Sequence, residues 1–412
     1  TLQEGRLLHG HIIRRGYGDD LITGNALLDM YSKCGSLEDA EILFDSLQYS
    51  DRVSWGAIIA GSVQHGKSHN ALELFSKMAK KGIEPDKITF LSLLKACGSI
   101  GNIQMGKEIH NEVKRKQLLE KDSMLGSVLV DMYAKCGLLG KAQEIFEGLR
   151  VKDIVSWSAL IAGYTHNGLY VEALKCYLKM QNEGVSPNEF TFSCVLKACA
   201  CVGALEVGEE IHVKVNEEGL LQDNTILGTG LVDMYAKCGL LERSHEVFEK
   251  LHIRNITSWN ALVSGYAQVG KIKNVLNLFS KMLSEGIVPD VITNLVVMTT
   301  FCHGGLVEEG QSFFHDMGHV YHLDPTLEHY ACMVDLFTHA GHFDKALVLI
   351  ENVSYFDRLP LWLALLSACC KWRYLDLGKF AFNKSIELDA RCHTAYVNMG
   401  NLYASGSYSL VK

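Results

Sequence analysis

Metal and nucleophile chemistry need cysteine, histidine and acidic side chains at short, particular spacings, and this chain has the residues without the spacings. It holds 13 cysteines and 17 histidines in 412 residues. There is no Cys-x-x-Cys, and neither Cys199-Ala200-Cys201 nor Cys369-Cys370 has a partnering His or Cys at zinc spacing. A zinc deaminase holds its metal and activates water with His-x-Glu and Pro-Cys-x-x-Cys. Only His110-Asn111-Glu112 matches the first half, and it lies in an amphipathic helical stretch, so chance accounts for it. Phosphate-cradling glycine loops and a Ser-His-Asp order are equally unsupported. The expectation is no catalytic residue, no metal and no cofactor. What does recur is polar and widely spaced: Lys33, Lys135 and Lys237 stand 102 residues apart. Such a column could meet phosphates from inside a groove, and solvated lysines are the plain alternative.

The elements that carry this column repeat with it. Ser54-Trp55, Ser156-Trp157 and Ser258-Trp259 keep the interval of 102, as do Asp29, Asp131, Asp233 and Asp335. Each large unit divides into three, seen as 154–188, 189–224 and 225–255. In each, an apolar stretch such as Ile154-Val155-Ser156-Trp157-Ser158-Ala159-Leu160-Ile161 leads to a glycine turn near Asn167-Gly168 and a second amphipathic stretch. Two antiparallel helices per subunit are expected. The second is expected to end at Gly184, and Pro187 forbids helix before the next unit. One pair cannot bury its own apolar face, whereas stacked neighbours can, which predicts a superhelical solenoid with a concave inner face.

Composition agrees. A hydrophobic content of 48% is ample for a core, and only five prolines interrupt helix-favouring segments. The net charge of -8 counts against a polyphosphate-coating protein, so any nucleic-acid contact needs a local basic stripe. Diluted cysteines in apolar helical patterns fit a reducing compartment. No apolar run reaches the roughly 18 residues of a membrane span. The chain opens at Thr1 in mid-pattern, so targeting is not legible.

Val-Ser-Trp-x-Ala-Leu-Ile-x-Gly-Tyr and Asp-Met-Tyr-x-Lys-Cys-Gly are not the tetratricopeptide signature. They resemble plant pentatricopeptide repeats, and the 35/36/31 alternation resembles the subfamily with P, long and short repeats. The resemblance implies an all-α, right-handed superhelical solenoid of helix-turn-helix repeats. On this reading 1–20 ends a long repeat and 21–358 is the array. Residues 359–412 resemble the E motifs of organellar RNA-editing factors, C-terminally truncated. Leu361 to Cys369 and Ala395 to Ala404 carry that likeness, while Ile386-Glu387-Leu388-Asp389-Ala390-Arg391 departs from the usual Glu-Pro.

In this family a repeat reads one base of single-stranded RNA through its fifth and last residues. The resemblance assigns Asn25/Asp51 to U, Ser127/Asp153 to G, Ser158/Asn188 to A, Thr229/Asn255 to A and Asn260/Asp290 to U. An Asp acceptor suits the ring N–H of uracil or guanine, and an Asn donor suits the bare ring nitrogen of adenine or cytosine. Gly56/Asp86 is off-code. Of the long-repeat pairs Leu91/Asp122, Ser193/Asn224 and Leu295/Thr326, only the second resembles a reader; Ala331 and Arg358 read nothing. The second residues Ile22, Val53, Met124, Val155, Ile226 and Thr257 resemble the family's wedges beside each base. Small polar residues here also serve as helix caps and turn ends. Trp55, Trp157 and Trp259 sit at apolar spacing that favours packing over base stacking. Cys34, Cys136 and Cys238, before turn glycines, are expected as small buried residues.

The expected role is the specificity part of an organellar C-to-U RNA editing factor, in mitochondrion or chloroplast. A deaminase domain or partner protein would do the chemistry and join through the E motifs; no membrane and no DNA are expected. A structural or RNA-stabilising subunit of a ribosome or RNA polymerase is the alternative, and a protein-binding solenoid the third.

Overall fold

A computed structural model describes residues 2–18, 20–119, 123–354 and 357–407, and every element among them is a helix. The chain divides into two compact units, Thr1–Val202 and Gly203–Lys412.

In the first unit a helix Leu2–Arg14 precedes helix pairs that follow the expected punctuation. Leu21–Lys33 is joined to Leu37–Ser46, Arg52–Gln64 to Ser68–Lys80, and Ile154–His166 to Tyr170–Asn182. The turn between the last two places Gly168 at φ +75°, where an L side chain is strained. Consecutive first helices pack directly. A Cβ on Gly163 would come within 2.4 Å of the Ala134 Cβ, so the glycine of the Gly-Tyr motif marks a close helix crossing. The tryptophans are core: Trp157 is fully buried and meets Phe146 edge-on at 4.6 Å between centroids. Truncating it to Ala should cost roughly 3–5 kcal/mol.

The second unit repeats the scheme with Thr225–Lys237, Leu241–Lys250, Ile256–Gln268 and Ile272–Ser284, and Trp259 packs on Phe248. Val291–Gly304, Val307–His319, Leu327–His339 and Phe343–Glu351 follow, then Leu359–Trp372, Leu375–Leu388 and His393–Ser407.

One packing expectation is corrected. Cys34 is exposed, and Cys136 and Cys238 are only partly buried. The backbone N–H of each bonds to the carbonyl of Met30, Met132 or Met234, closing the first helix, so the thiol sits beside the methionine sulfur at the helix end.

Candidate nucleic-acid interface

The last residue of a repeat is the N-cap of the next repeat's first helix. Asp51 Oδ1 accepts from the backbone N–H groups of Val53 and Ser54, at 3.0 and 2.9 Å. Asp86, Asp153, Asn188, Asn255 and Asp290 each accept from the N–H three residues on, at 2.8–2.9 Å. Four orphan N–H groups open every helix, and a short side-chain acceptor satisfies one. Capping thus explains why these positions are Asp or Asn at all.

The fifth residue of the preceding helix reaches the same cap. Asn25 Nδ2 donates to Asp51 Oδ1 at 3.2 Å, and Ser54 Oγ donates to Asn25 Oδ1 at 2.6 Å. The identical triangle forms in the second unit: Asn260 Nδ2 donates to Asp290 at 3.0 and 3.1 Å, and Thr293 Oγ1 donates to Asn260 Oδ1 at 2.6 Å. Ser127 Oγ lies 3.4 Å from Asp153 Oδ1. Ser158 connects through Thr191, whose Oγ1 is 2.7 Å from Ser158 Oγ and donates to Asn188 Oδ1 at 2.8 Å. Gly56 keeps the geometry without the group, for a Cβ there would sit 3.8 Å from Asp86 Oδ1. No hydrogen bond joins Thr229 to Asn255; the Thr229 hydroxyl is buried without a partner. Asp122 lies outside the described residues. Ser193 and Asn224 belong to different compact units. Leu295 has no polar group to offer Thr326, which forms a capping box with His329.

Burial divides the labour. Ser127, Ser158 and Asn260 are 1%, 5% and 8% exposed, whereas Asn188 is exposed. The last residues Asp51, Asp86, Asp153, Asn255 and Asp290 are half-buried, and both carboxylate oxygens of Asp290 accept from Asn260. At Asp51, burial works to raise the pKa, but hydrogen bonds from Ser54 and Asn25 outweigh it and hold the carboxyl below its ordinary value. Asp290 behaves alike through Thr293 and Asn260. Both are acceptors at neutral pH.

Beside these caps stand exposed side chains at the second position of each repeat. Ile22, Val53, Met124, Val155 and Ile226 are all more than half exposed, and Thr257 is exposed. Ile88, Phe190 and Ile292 are exposed at the same second position of the long repeats. Sequence reading passed over these three, although their position alone marks them. The lysines are not free cations: Lys33, Lys135 and Lys237 pair with Asp29, Asp131 and Asp233 one turn back, at 2.6, 2.7 and 2.8 Å. Exposed pairs of this kind are worth about 0–1 kcal/mol, so an anion can compete for the lysine.

No cluster of His, Cys, Asp or Glu able to hold a metal occurs among the described residues. His110, from the half-motif, instead bonds the Tyr133 hydroxyl at 2.9 Å, and burial lowers its pKa. No described helix is long and apolar enough to cross a membrane.

Comparison with known proteins agrees with this geometry. The PPR repeat family matches residues 50–99, 152–201 and 254–303, and the PPR repeat matches 25–51, 88–118, 127–154 and 229–256. A pentatricopeptide repeat-containing protein of Arabidopsis thaliana is 37% identical over 401 residues, covering 97% of this chain and 55% of the relative. A putative mitochondrial one from the same plant is 34% identical over 99% of this chain and 67% of its own length. The chain thus spans about half to two-thirds of the relatives it matches. Among solved structures, the pentatricopeptide repeat protein PPR10 in complex with an 18-nt psaJ RNA element is similar with a TM-score of 0.72 at 17% identity, over 94% of this chain and 61% of that one. The fold is therefore that of an all-helical pentatricopeptide solenoid, and the chain belongs to the pentatricopeptide repeat family of the plant type.

Proposed function

We propose that this chain binds single-stranded RNA in a sequence-specific manner, one base per repeat. The observation that carries the reading is the contact between fifth and last residues that lie 26 or 30 positions apart, Asn25 with Asp51 and Asn260 with Asp290. A helix cap needs no such partner. The packed fifth residue sets the space and orientation, and the outward atom of the last residue, a carboxylate oxygen or an amide N–H, selects the base edge. Exposed apolar residues at the second position flank the base. The resemblance of PPR10, solved with an RNA element, supports the same class of ligand.

The reading extends to a P, long and short array over 21–358 followed by E-motif-like helices over 359–412. It makes the chain the specificity part of an organellar C-to-U RNA editing factor, with deamination by another domain or partner protein. One relative is named as mitochondrial, which supports an organelle without separating mitochondrion from chloroplast. The predicted target is 5′-U-N-N-G-A-(A)-A-U-N-N-3′, where the bracketed base rests on the long-repeat pair Ser193/Asn224 alone. Anisotropy titration against this RNA and its scrambled form tests the reading; equal affinities overturn it. One observation favours the second reading, a structural subunit of a large organellar assembly: each lysine of the column is already neutralised by its own helix.

A further inference from the structure

Residues five, nine and thirteen of each first helix lie one turn apart on one face. In Lys87–Ile100 these are Leu91, Lys95 and Ser99; in Ser123–Lys135 they are Ser127, Asp131 and Lys135. The ninth position therefore alternates in charge between a long repeat and the short repeat after it. Lys135 is held by Asp131, but Lys95 is exposed and makes no ion pair among the described residues. The two helices approach closely, since a Cβ on Gly98 would lie 3.2 Å from the Met132 Cα and 3.4 Å from the Lys135 Cδ. A cleft of about 380 Å³ opens here, lined by Val63, Ser68, Lys95, Ser99, Asp131 and Lys135 among others. Two ammonium groups and one carboxylate leave it a net positive charge in a chain whose overall charge is negative.

We propose that the Lys95 cleft seats a backbone phosphate of the bound nucleic acid, with Lys95 as the anchoring cation and Lys135 turning from Asp131 to share it. This rests on the RNA reading and goes beyond it. The column of short-repeat lysines is self-neutralised, so the net positive charge of this cleft comes from Lys95 in a long repeat. Lys197 takes the same ninth position 102 residues on, and Thr299 replaces it in the last long repeat.

The test is the salt dependence of single-stranded RNA binding by the full chain and by variants. Lys95→Gln, an exposed helix position where Gln is a comparable helix former, keeps the fold. It should weaken binding several-fold on every RNA sequence and lower the slope of log K against log salt by about 0.7, the loss of one phosphate contact on a single strand. Lys135→Gln, which removes the sharing cation, should also weaken binding and lower the slope, by less than Lys95→Gln does. Inorganic phosphate, compared with chloride at equal ionic strength, should compete with RNA in the wild type and lose that advantage in Lys95→Gln. An unchanged slope and unchanged phosphate competition in Lys95→Gln overturn the site while leaving RNA binding standing. A wild-type chain that binds no single-stranded RNA overturns both.

Discussion

The repeats that end at Asp51 and Asp290 and the repeat that ends at Arg358 start the following helix in different ways. In the first two the cap is an aspartate locked by an asparagine from the preceding helix. In the third, Arg358 gives no side-chain cap, its guanidinium turns back to the carbonyls of Val353 and Glu351, and Pro360 opens Leu359–Trp372. The fifth residue there is Ala331. Proline at the helix start removes one of the unsatisfied N–H groups, so the helix forms without Asp or Asn. Capping alone therefore does not require the polar pair. The same contrast runs one turn further along: Asp29 pairs with Lys33, whereas His339 stands in the lysine position and reaches the Asp335 backbone carbonyl. Burial raises the Asp335 pKa, the opposite of what its neighbours do for Asp51.

The strongest way to break this comparison is truncation of the lock. Asp290→Ala removes the cap and strands the buried Asn260 amide, and should cost about 2–3 kcal/mol in denaturant unfolding. Arg358→Ala removes no helix cap, loses the bonds to the Val353 and Glu351 carbonyls, and should cost less, about 1 kcal/mol. Equal losses would mean that the two helix starts do not differ.

A smaller effect sharpens it from the other side. Gly56→Ser places a hydroxyl where Ser158 has one in the next P repeat, near Thr89 and Asp86. The variant should gain preference for G at the base under that repeat by about 1 kcal/mol, read by titrating RNAs that differ only there. Unchanged preference would detach the fifth residue from recognition.

Freeing the lysines comes next. Asp29→Asn, Asp131→Asn and Asp233→Asn together should tighten binding on all sequences and steepen the salt slope by up to about 0.7 per lysine. No change in slope would return Lys33, Lys135 and Lys237 to solvent.

The smallest effect is in acid. Asp51 and Asp290 have folded pKa values below the ordinary aspartate value. Their contribution is fully present above that unfolded value and is lost as pH falls through the folded pKa. Asp51→Asn/Asp290→Asn keeps a capping oxygen and should flatten the acid limb of stability, lowering the neutral plateau by the contribution the carboxylates make. An unaltered acid limb would show that these carboxyls titrate alike folded and unfolded.

Much of the fold was legible because its signals are periodic. The 102-residue interval, the Gly168 turn and the Trp157 spacing each have one physical solution, a stacked helix pair. The polar pairs were legible as positions but not as a network. Thr191, Ser54 and Thr293, which bridge fifth and last residues, belong to the next repeat and read in sequence as ordinary first-turn residues. The Lys33–Asp29 pairing is visible in the sequence as an i,i+4 spacing. Asp122 lies outside the described residues, and nothing in the spacing foretold that Thr229 would be left without a partner.

If one side chain serves as cap and reader with different atoms, Asn188 offers the cleanest test. Its Oδ1 caps the helix through Thr191 while its side chain is exposed. Asn188→Asp preserves the cap, since the two residues cap about equally well, and replaces the outward donor with an acceptor. Wild type and variant should be titrated against RNAs that differ only at the base under this repeat. Preference should move from A to G by roughly 1 kcal/mol with neighbouring positions and folding stability unchanged. If both proteins rank A and G alike, Asn188 is a cap and nothing more.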